Sequence, residues 1–157
     1  AGENPLTAPR LAAEGHVMSE RFFEAIATGK IPPPECAKTL GLDIIGYDLD
    51  AHTVELAFDG KPEFANPIGI VQGGFLSAML DDTMGLASAT AMNVGEFAPT
   101  LGLNVQFHRP AKIGKLTGKG RITMRGKEIF HLAAELFQDG KLVATATATA
   151  MFRKISS

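Results

Sequence analysis

The pattern of apolar residues indicates one long helix in the middle of the chain. From Gly73 to Thr90 there is no proline, charged residues are few, and Leu, Met and Ala dominate, which favours a helix. On a helical wheel of about 100° per residue, bulky and small residues fall on opposite sides. The bulky side carries Phe75, Leu76, Met79, Leu80, Thr83, Leu86 and Ala87, and the small side carries Gly74, Ser77, Asp81, Gly85 and Ser88. The helix is therefore predicted to be buried, with a small-residue stripe that another group can approach closely.

Strand-like patterns flank this helix on both sides. The predicted strands are Leu42–Asp50, Thr53–Phe58, Thr100–His108, Leu116–Met124, Glu128–Gln138 and Leu142–Phe152. Asp139-Gly140 is a strong hairpin signal, because both residue types tolerate positive φ. We expect the last four strands to be antiparallel. Since a single apolar helix needs a curved sheet to bury it, the predicted fold class is α+β.

The N-terminal part is predicted to form a separate element. Residues 10–28 have the amphipathic spacing of a helix, and the prolines of Gly29-Lys-Ile-Pro-Pro-Pro-Glu35 end it. We divide the chain into an N-terminal helix and Pro-rich linker, 1–35, and one domain, 36–157.

Composition excludes several classes of protein. The chain has 157 residues and a net charge of -2, so no basic field attracts nucleic acid or an anionic membrane. The single Cys36 excludes an intramolecular disulfide. No apolar run reaches the roughly 18 residues that span a bilayer, and the N-terminus lacks the pattern of a signal peptide. We expect a cytoplasmic protein without nucleic-acid or membrane partners.

Asp81 is the most unusual residue of the predicted helix. Most acidic residues in helices face water, and Asp81 can be interpreted in that way. Alternatively, it lies in a partly desolvated cleft, where a carboxylate can act as base or nucleophile. Asp82 points about 100° away, towards the bulky side, and is the weaker candidate.

Other catalytic signatures are missing from the sequence. There is no Gly-x-Ser-x-Gly elbow, phosphate-binding loop or dinucleotide fingerprint. The four histidines fall in separate elements without metal-ligand spacing, so no metal site is predicted. His52 lies in a predicted turn, where we expect it to be exposed to solvent.

Three stretches together resemble the hotdog-fold acyl-CoA thioesterases, in particular the phenylacetate-degradation (PaaI-like) branch. They are Asn66-x5-Gln72-Gly73-Gly74-x6-Asp81, Thr100–Gly114 and Gly126–Ala150. The family motif Asn…His-Gly-Gly…Asp is matched without a gap, although Gln72 stands where the family usually has His. The resemblance covers roughly Leu40 to Arg153. It implies an antiparallel sheet around a long central helix, and homodimers, often paired into homotetramers, with active sites at the subunit interface.

The resemblance also implies roles for site residues. Asp81 matches the catalytic carboxylate, as general base or as nucleophile. The backbone N–H of Gly73 matches an oxyanion donor, and Asn66 occupies the position that helps to bind the thioester carbonyl. Thr100 falls where the family places a Ser or Thr that orients water, although a β-branched residue that simply opens a strand would look the same.

The substrate implied by the resemblance is an acyl-CoA, with no metal or other cofactor besides this coenzyme A moiety. Its binding residues would be Gln72, Gly74, Phe107, Arg109, Arg125, Gly126 and Lys127. We expect an apolar acyl pocket, with Ile68, Phe75 and Met79 as candidates.

Helix geometry favours a site shared by two subunits. Gly73 and Asp81 are eight residues apart, so about 12 Å separates them along the helix axis. One thioester cannot easily contact both, but antiparallel helices of two subunits would bring them together.

Two alternatives stay open. A hotdog acyl dehydratase or hydratase is disfavoured, because no histidine occurs in residues 53–107. An acyl-CoA-binding dimer without turnover is compatible with Gln72, since glutamine cannot transfer a proton as histidine does.

Overall fold

The computed structural model describes residues 20–155. The helices are α1 (Phe22–Ala27), α2 (Glu35–Leu40) and α3 (Gly73–Ala89). The strands are β1 (Asp43–Asp48), β2 (Thr53–Gly60), β3 (Glu96–Phe97), β4 (Thr100–Phe107), β5 (Gly114–Arg125), β6 (Ile129–Gln138), β7 (Lys141–Met151) and β8 (Arg153–Lys154).

Six of these strands form one sheet in the order β1-β2-β5-β6-β7-β4. Every neighbouring pair in it is antiparallel. Asp139 and Gly140, with φ of 51° and 74°, form the turn between β6 and β7, as predicted. Strands β3 and β8 pair separately. Two residues are too short for a period-two pattern, and this pair was not predicted.

Helix α3 lies directly on one face of the sheet. Leu76, Met79, Leu80 and Met84 are buried against it. The closest approach is at Thr83, which is fully buried. A Cβ built on Gly118 of β5 would lie 2.6 Å from Thr83 Oγ1. The missing side chain therefore lets the helix seat on the sheet.

The start of the described chain differs from its prediction. The predicted helix 10–28 falls partly on residues 1–19, which lie outside the described residues. Arg21 is extended and forms a bridge with Asn93, and the N–H of Phe22 donates to Met92 O at 3.0 Å. Because this backbone pairs with the segment after α3, α1 begins only at Phe22.

The exposure expected for His52 was wrong. His52 is half-buried rather than exposed, because its turn folds over the end of α3, where its Nδ1 lies 3.0 Å from Thr90 Oγ1. The Thr90 hydroxyl donates to Ala87 O at 2.6 Å, so the histidine nitrogen is the donor of the pair. Ser88, assigned to the small-residue stripe, is buried.

The architecture is α+β, with one long helix on a six-stranded antiparallel sheet, and it confirms the hotdog arrangement implied by the resemblance. Within residues 20–155, no helix is long and apolar enough to cross a bilayer.

Candidate active site

The N-terminal end of α3 presents unpaired backbone donors. The N–H groups of Phe75 and Leu76 donate to Gln72 O at 3.0 and 3.3 Å. Those of Gly73 and Gly74 have no backbone acceptor among residues 20–155, as expected for the first turn of a helix. The side chain of Gln72 is exposed and makes no cap hydrogen bond. The helix dipole makes this end attractive to negative charge.

The loop before α3 holds Asn66 in one orientation. The side-chain Oδ1 of Asn66 accepts hydrogen bonds from the backbone N–H groups of Ile68 and Ile70 at 3.1 and 3.2 Å. The backbone N–H of Asn66 donates to Ile70 O at 2.8 Å. Two backbone donors on one oxygen identify the carbonyl side of the amide. The Asn66 Nδ2 is therefore left to donate elsewhere.

Phe107, the last residue of β4, packs against Gly73. A Cβ built on Gly73 would lie 3.0 Å from Phe107 Cζ, so the ring packs closely against the helix backbone at a position without a side chain. The ring is 54% exposed. It can therefore contact both the first turn of α3 and a bound molecule.

Asp81 lies on the open side of α3 and is held by β4. Thr100 Oγ1 donates to Asp81 Oδ1 at 2.9 Å. The carboxylate is half-buried. On the same stripe, a Cβ on Gly74 or Gly85 would meet no atom within 4 Å. Among residues 20–155, nothing therefore covers the stripe at Gly74 and Gly85, so another molecule can approach Asp81 from this side.

Asp82, next to Asp81 in the helix, has a partly buried carboxyl group. Its Oδ2 is buried and has no hydrogen-bond partner among residues 20–155. Burial, and secondly the charge of Asp81, raise the pKa of Asp82 from 3.8 to about 6. A helical wheel predicts only the direction in which the Asp82 side chain points, whereas the burial of this side chain depends on tertiary packing. The signal available in the sequence was a pair of adjacent acids in an apolar helix.

The predicted CoA-binding cations lie at opposite ends of the sheet. Arg109 follows β4 on the side of Gly73, and its Nη1 donates to Leu142 O at 3.0 Å. The guanidinium of Arg125 lies 5.3 Å from the Phe130 ring centre. Gly126 and Lys127 continue the exposed turn after β5. Four residues lie directly opposite one another on neighbouring strands, in the order Thr100, Ala150, Phe130 and Arg125. Because Thr100 bonds Asp81, the turn after Arg125 lies at the Asp81 end.

The candidate acyl-pocket residues do not form one pocket. Met79 is completely buried in the core, so this suggestion was wrong: the residue belongs to the face that packs on the sheet. Phe75 stacks on Phe64 with ring centres 4.1 Å apart. Ile68 is 79% exposed on the Asn66 loop.

Residues 20–155 of one chain do not enclose these site residues. Two shallow hollows of about 480 and 410 Å³ lie on the other face of the sheet, and neither is lined by Asn66, Gly73 or Asp81. Among residues 20–155, no three His, Cys, Asp or Glu side chains are grouped to hold a metal ion. The described chain thus brings together Asp81 with Thr100, and Gly73 with Phe107, but leaves these pairs about 12 Å apart along α3.

Comparisons with known proteins point to one family. The model of the thioesterase superfamily matches residues 68–145. A protein named as a candidate esterase in Saccharolobus solfataricus is 30% identical over 110 residues, which cover 69% of this chain and 76% of the relative.

Solved structures agree with this match. A phenylacetic acid degradation-related protein of Ralstonia eutropha JMP134, described as a candidate thioesterase, is 44% identical, with a TM-score of 0.81 over 83% of this chain and 98% of that chain. A mutant of the phenylacetic acid degradation protein PaaI of Thermus thermophilus is 24% identical, with a TM-score of 0.68 over 75% and 98%. At that identity the second likeness supports the fold alone.

Proposed function

Because this chain belongs to the thioesterase superfamily and is a thioester hydrolase, we propose that it hydrolyses acyl-CoA with an aryl or medium-chain acyl group. The observation that carries the proposal is the hydrogen bond from Thr100 to Asp81 on the uncovered stripe of α3. It orients a carboxylate towards a space that the described chain leaves open.

The site is completed by a second copy of the chain. Gly73 and Asp81 are about 12 Å apart along one helix, which is too far for one thioester to contact both. Antiparallel packing of two α3 helices places Gly73 of one protomer beside Asp81 of the other. Two features of residues 20–155 support this homodimer: nothing among them covers Gly74 and Gly85 of the stripe, and β4 is an edge strand of their sheet. Two such dimers would form the homotetramer.

The thioester carbonyl binds at the amide end of α3. Attack on the carbonyl carbon places negative charge on its oxygen, and the free Gly73 N–H at the positive end of the helix stabilises that charge. Asn66 Nδ2, oriented by the two bonds to its Oδ1, is the second donor. One such donor is typically worth roughly 10²- to 10³-fold in rate.

Asp81 supplies the attacking group in one of two ways. As general base it takes a proton from water, whose oxygen attacks the carbonyl carbon and expels the CoA thiolate. As nucleophile it attacks directly, expels the thiolate and forms a mixed anhydride that water then hydrolyses. In both routes Thr100 holds Oδ1 and leaves Oδ2 for the reaction. A hydroxamate on the Asp81 side chain after turnover in the presence of hydroxylamine would identify the anhydride of the second route.

Coenzyme A would contact both protomers. Arg109 lies at the Gly73 end, whereas Arg125 and Lys127 lie at the Asp81 end. Because antiparallel helices bring opposite ends together, cations of both protomers surround one site. Guanidinium and ammonium groups bind phosphate oxygens, so these side chains are the candidates for the CoA phosphates.

Release of free thiol from a panel of acyl-CoAs tests the proposal. We expect Asp81→Asn and Asp81→Ala to lower kcat by roughly 10²- to 10⁴-fold, while size-exclusion chromatography still detects the dimer. Asp50→Asn, an exposed carboxylate in the turn after β1, is the matched control and should retain full activity. Retained turnover in both Asp81 variants would remove this residue from the reaction.

A second candidate is an acyl-CoA-binding dimer without turnover. It is favoured by Gln72, whose exposed side chain stands at the family's histidine position and makes no cap bond. Tight binding of acyl-CoA without thiol release would support it. The dehydratase alternative is weakened because His108 bonds Thr145 on the opposite face of the sheet.

A further inference from the structure

Strand β4 carries an apolar stripe on the same side as α3. Leu103 pairs with Ala148, Val105 with Ala146, and Phe107 with Ala144. Residues directly opposite each other in antiparallel strands project to the same face. The three alanines are buried in the core, so the β4 stripe of Leu103, Val105 and Phe107 also faces inwards.

Both ends of this β4 stripe are attached to the helix. At one end Thr100 donates to Asp81 at 2.9 Å, and at the other end Phe107 contacts Gly73. The stripe therefore runs alongside the helix between the two ends of the proposed site.

Leu103 is unusually exposed for an inward position. It is 40% exposed, whereas its partner Ala148 on the neighbouring strand is 7% exposed. The open side of α3 carries only small residues at this level, such as Gly74 and Ser77. An apolar surface beside Leu103 is therefore left uncovered by residues 20–155 of this protomer. Leu103 lies three residues after Thr100, which bonds Asp81.

We propose that Leu103 is a specificity-determining residue that forms the wall against which the acyl group of the substrate packs. This inference rests on the proposed function. With the thioester carbon at Asp81, the acyl carbons extend along the β4 stripe. No charged residue lies between Leu101 and Phe107, and the two acids Asp81 and Asp82 repel a carboxylate. The substrate class is thus an uncharged, apolar acyl group.

Variation of the size of this side chain tests the inference. Leu103→Ala should increase the ratio of kcat/KM for decanoyl-CoA over butanoyl-CoA by roughly tenfold or more, and Leu103→Phe should decrease it, because a methylene group in an apolar site changes discrimination by roughly 10- to 200-fold. Asn104→Ala is the matched control: this neighbour pairs with Thr147 on the outer face and should leave the ratio within about twofold.

The outcomes separate the two proposals. Equal changes for both substrates, or an unchanged ratio, in dimeric Leu103→Ala and Leu103→Phe would overturn the role of Leu103 while acyl-CoA hydrolysis stands. Wild-type protein that turns over none of the acyl-CoAs would overturn the proposed function itself. Adipoyl-CoA provides a further check, since it should react at least tenfold more slowly than hexanoyl-CoA; equal rates would contradict the uncharged substrate class. If either variant fails to form the dimer, Leu103→Val, which also shortens the side chain, replaces it and should raise the ratio; an unchanged ratio would overturn the role of Leu103.

Discussion

Asp82 is expected to make the folded protein less stable as the pH rises, and Asp82→Asn should remove this dependence. The pKa of Asp82 is raised from 3.8 to about 6, first by burial and then by Asp81. A raised pKa means that the folded protein holds the proton more tightly than the unfolded chain. The resulting stability is complete below about pH 3.8 and is lost as the pH rises through about 6.

The size of the effect follows from the same values. A change of one pKa unit corresponds to about 1.4 kcal/mol. The raised pKa of Asp82 therefore corresponds to a loss of about 3 kcal/mol in the free energy of unfolding between low and neutral pH. Solvent reaches part of this side chain and screens its charge, so about 1–3 kcal/mol is expected. Asparagine has nearly the same shape but does not ionise. Asp82→Asn should therefore match the wild type at pH 4 and exceed its free energy of unfolding at pH 7.5.

Urea unfolding of both proteins between pH 4 and pH 8, at one protein concentration, measures this difference. Equal concentrations are needed because dimer formation also stabilises the folded state. Asp50→Asn, whose carboxylate is exposed, provides the control and should show no such trend. Two results would refute the reasoning. One is a difference in free energy of unfolding between Asp82→Asn and wild type that is constant across this range, and the other is a wild type that is more stable than Asp82→Asn at pH 7.5.

Three further changes test other parts of the structure. Thr100→Val removes the hydrogen bond to Asp81 and should lower kcat by roughly 10- to 100-fold, whereas Thr100→Ser should retain most activity. Equal kcat values for the two variants would show that the Thr100 hydroxyl has no part in the reaction. Gly118→Ala places a methyl group against Thr83 and should lower the free energy of unfolding by about 1–3 kcal/mol in a urea titration; an unchanged midpoint would show that the helix can shift. Gln72→His should alter stability by less than about 0.5 kcal/mol, because the side chain is exposed, and a large rise in thiol release would assign proton transfer to this position.

Much of the fold could be predicted from local patterns. Helix α3 lacks proline and separates bulky from small residues, and β7 alternates Ala with Thr, so their structure depends on short-range periodicity. Asp139-Gly140 specifies its turn through backbone conformation alone. Strands β3 and β8 have no such pattern, because they form only through pairing with each other.

The site depended on information that local patterns lack. Asp81 and its motif could be selected from spacing and resemblance, but the bond from Thr100 spans 19 positions of sequence and exists only through the strand order. The same limitation explains the low rank given to Asp82 and the exposure expected for His52. Both residues are partly buried by elements distant in sequence, and a helical wheel does not include those elements.

The close seat of α3 on β5 has a consequence for how this chain can diverge. Because Thr83 rests against strand backbone at Gly118 and Gly120, the helix cannot slide or rotate without a steric collision. The position of Asp81 and Gly73 relative to the sheet is therefore fixed by residues that lie on the buried side of the helix. Substitutions of Leu103 on β4 can therefore change which acyl groups are accepted, while the helix that carries Asp81 keeps its place on the sheet.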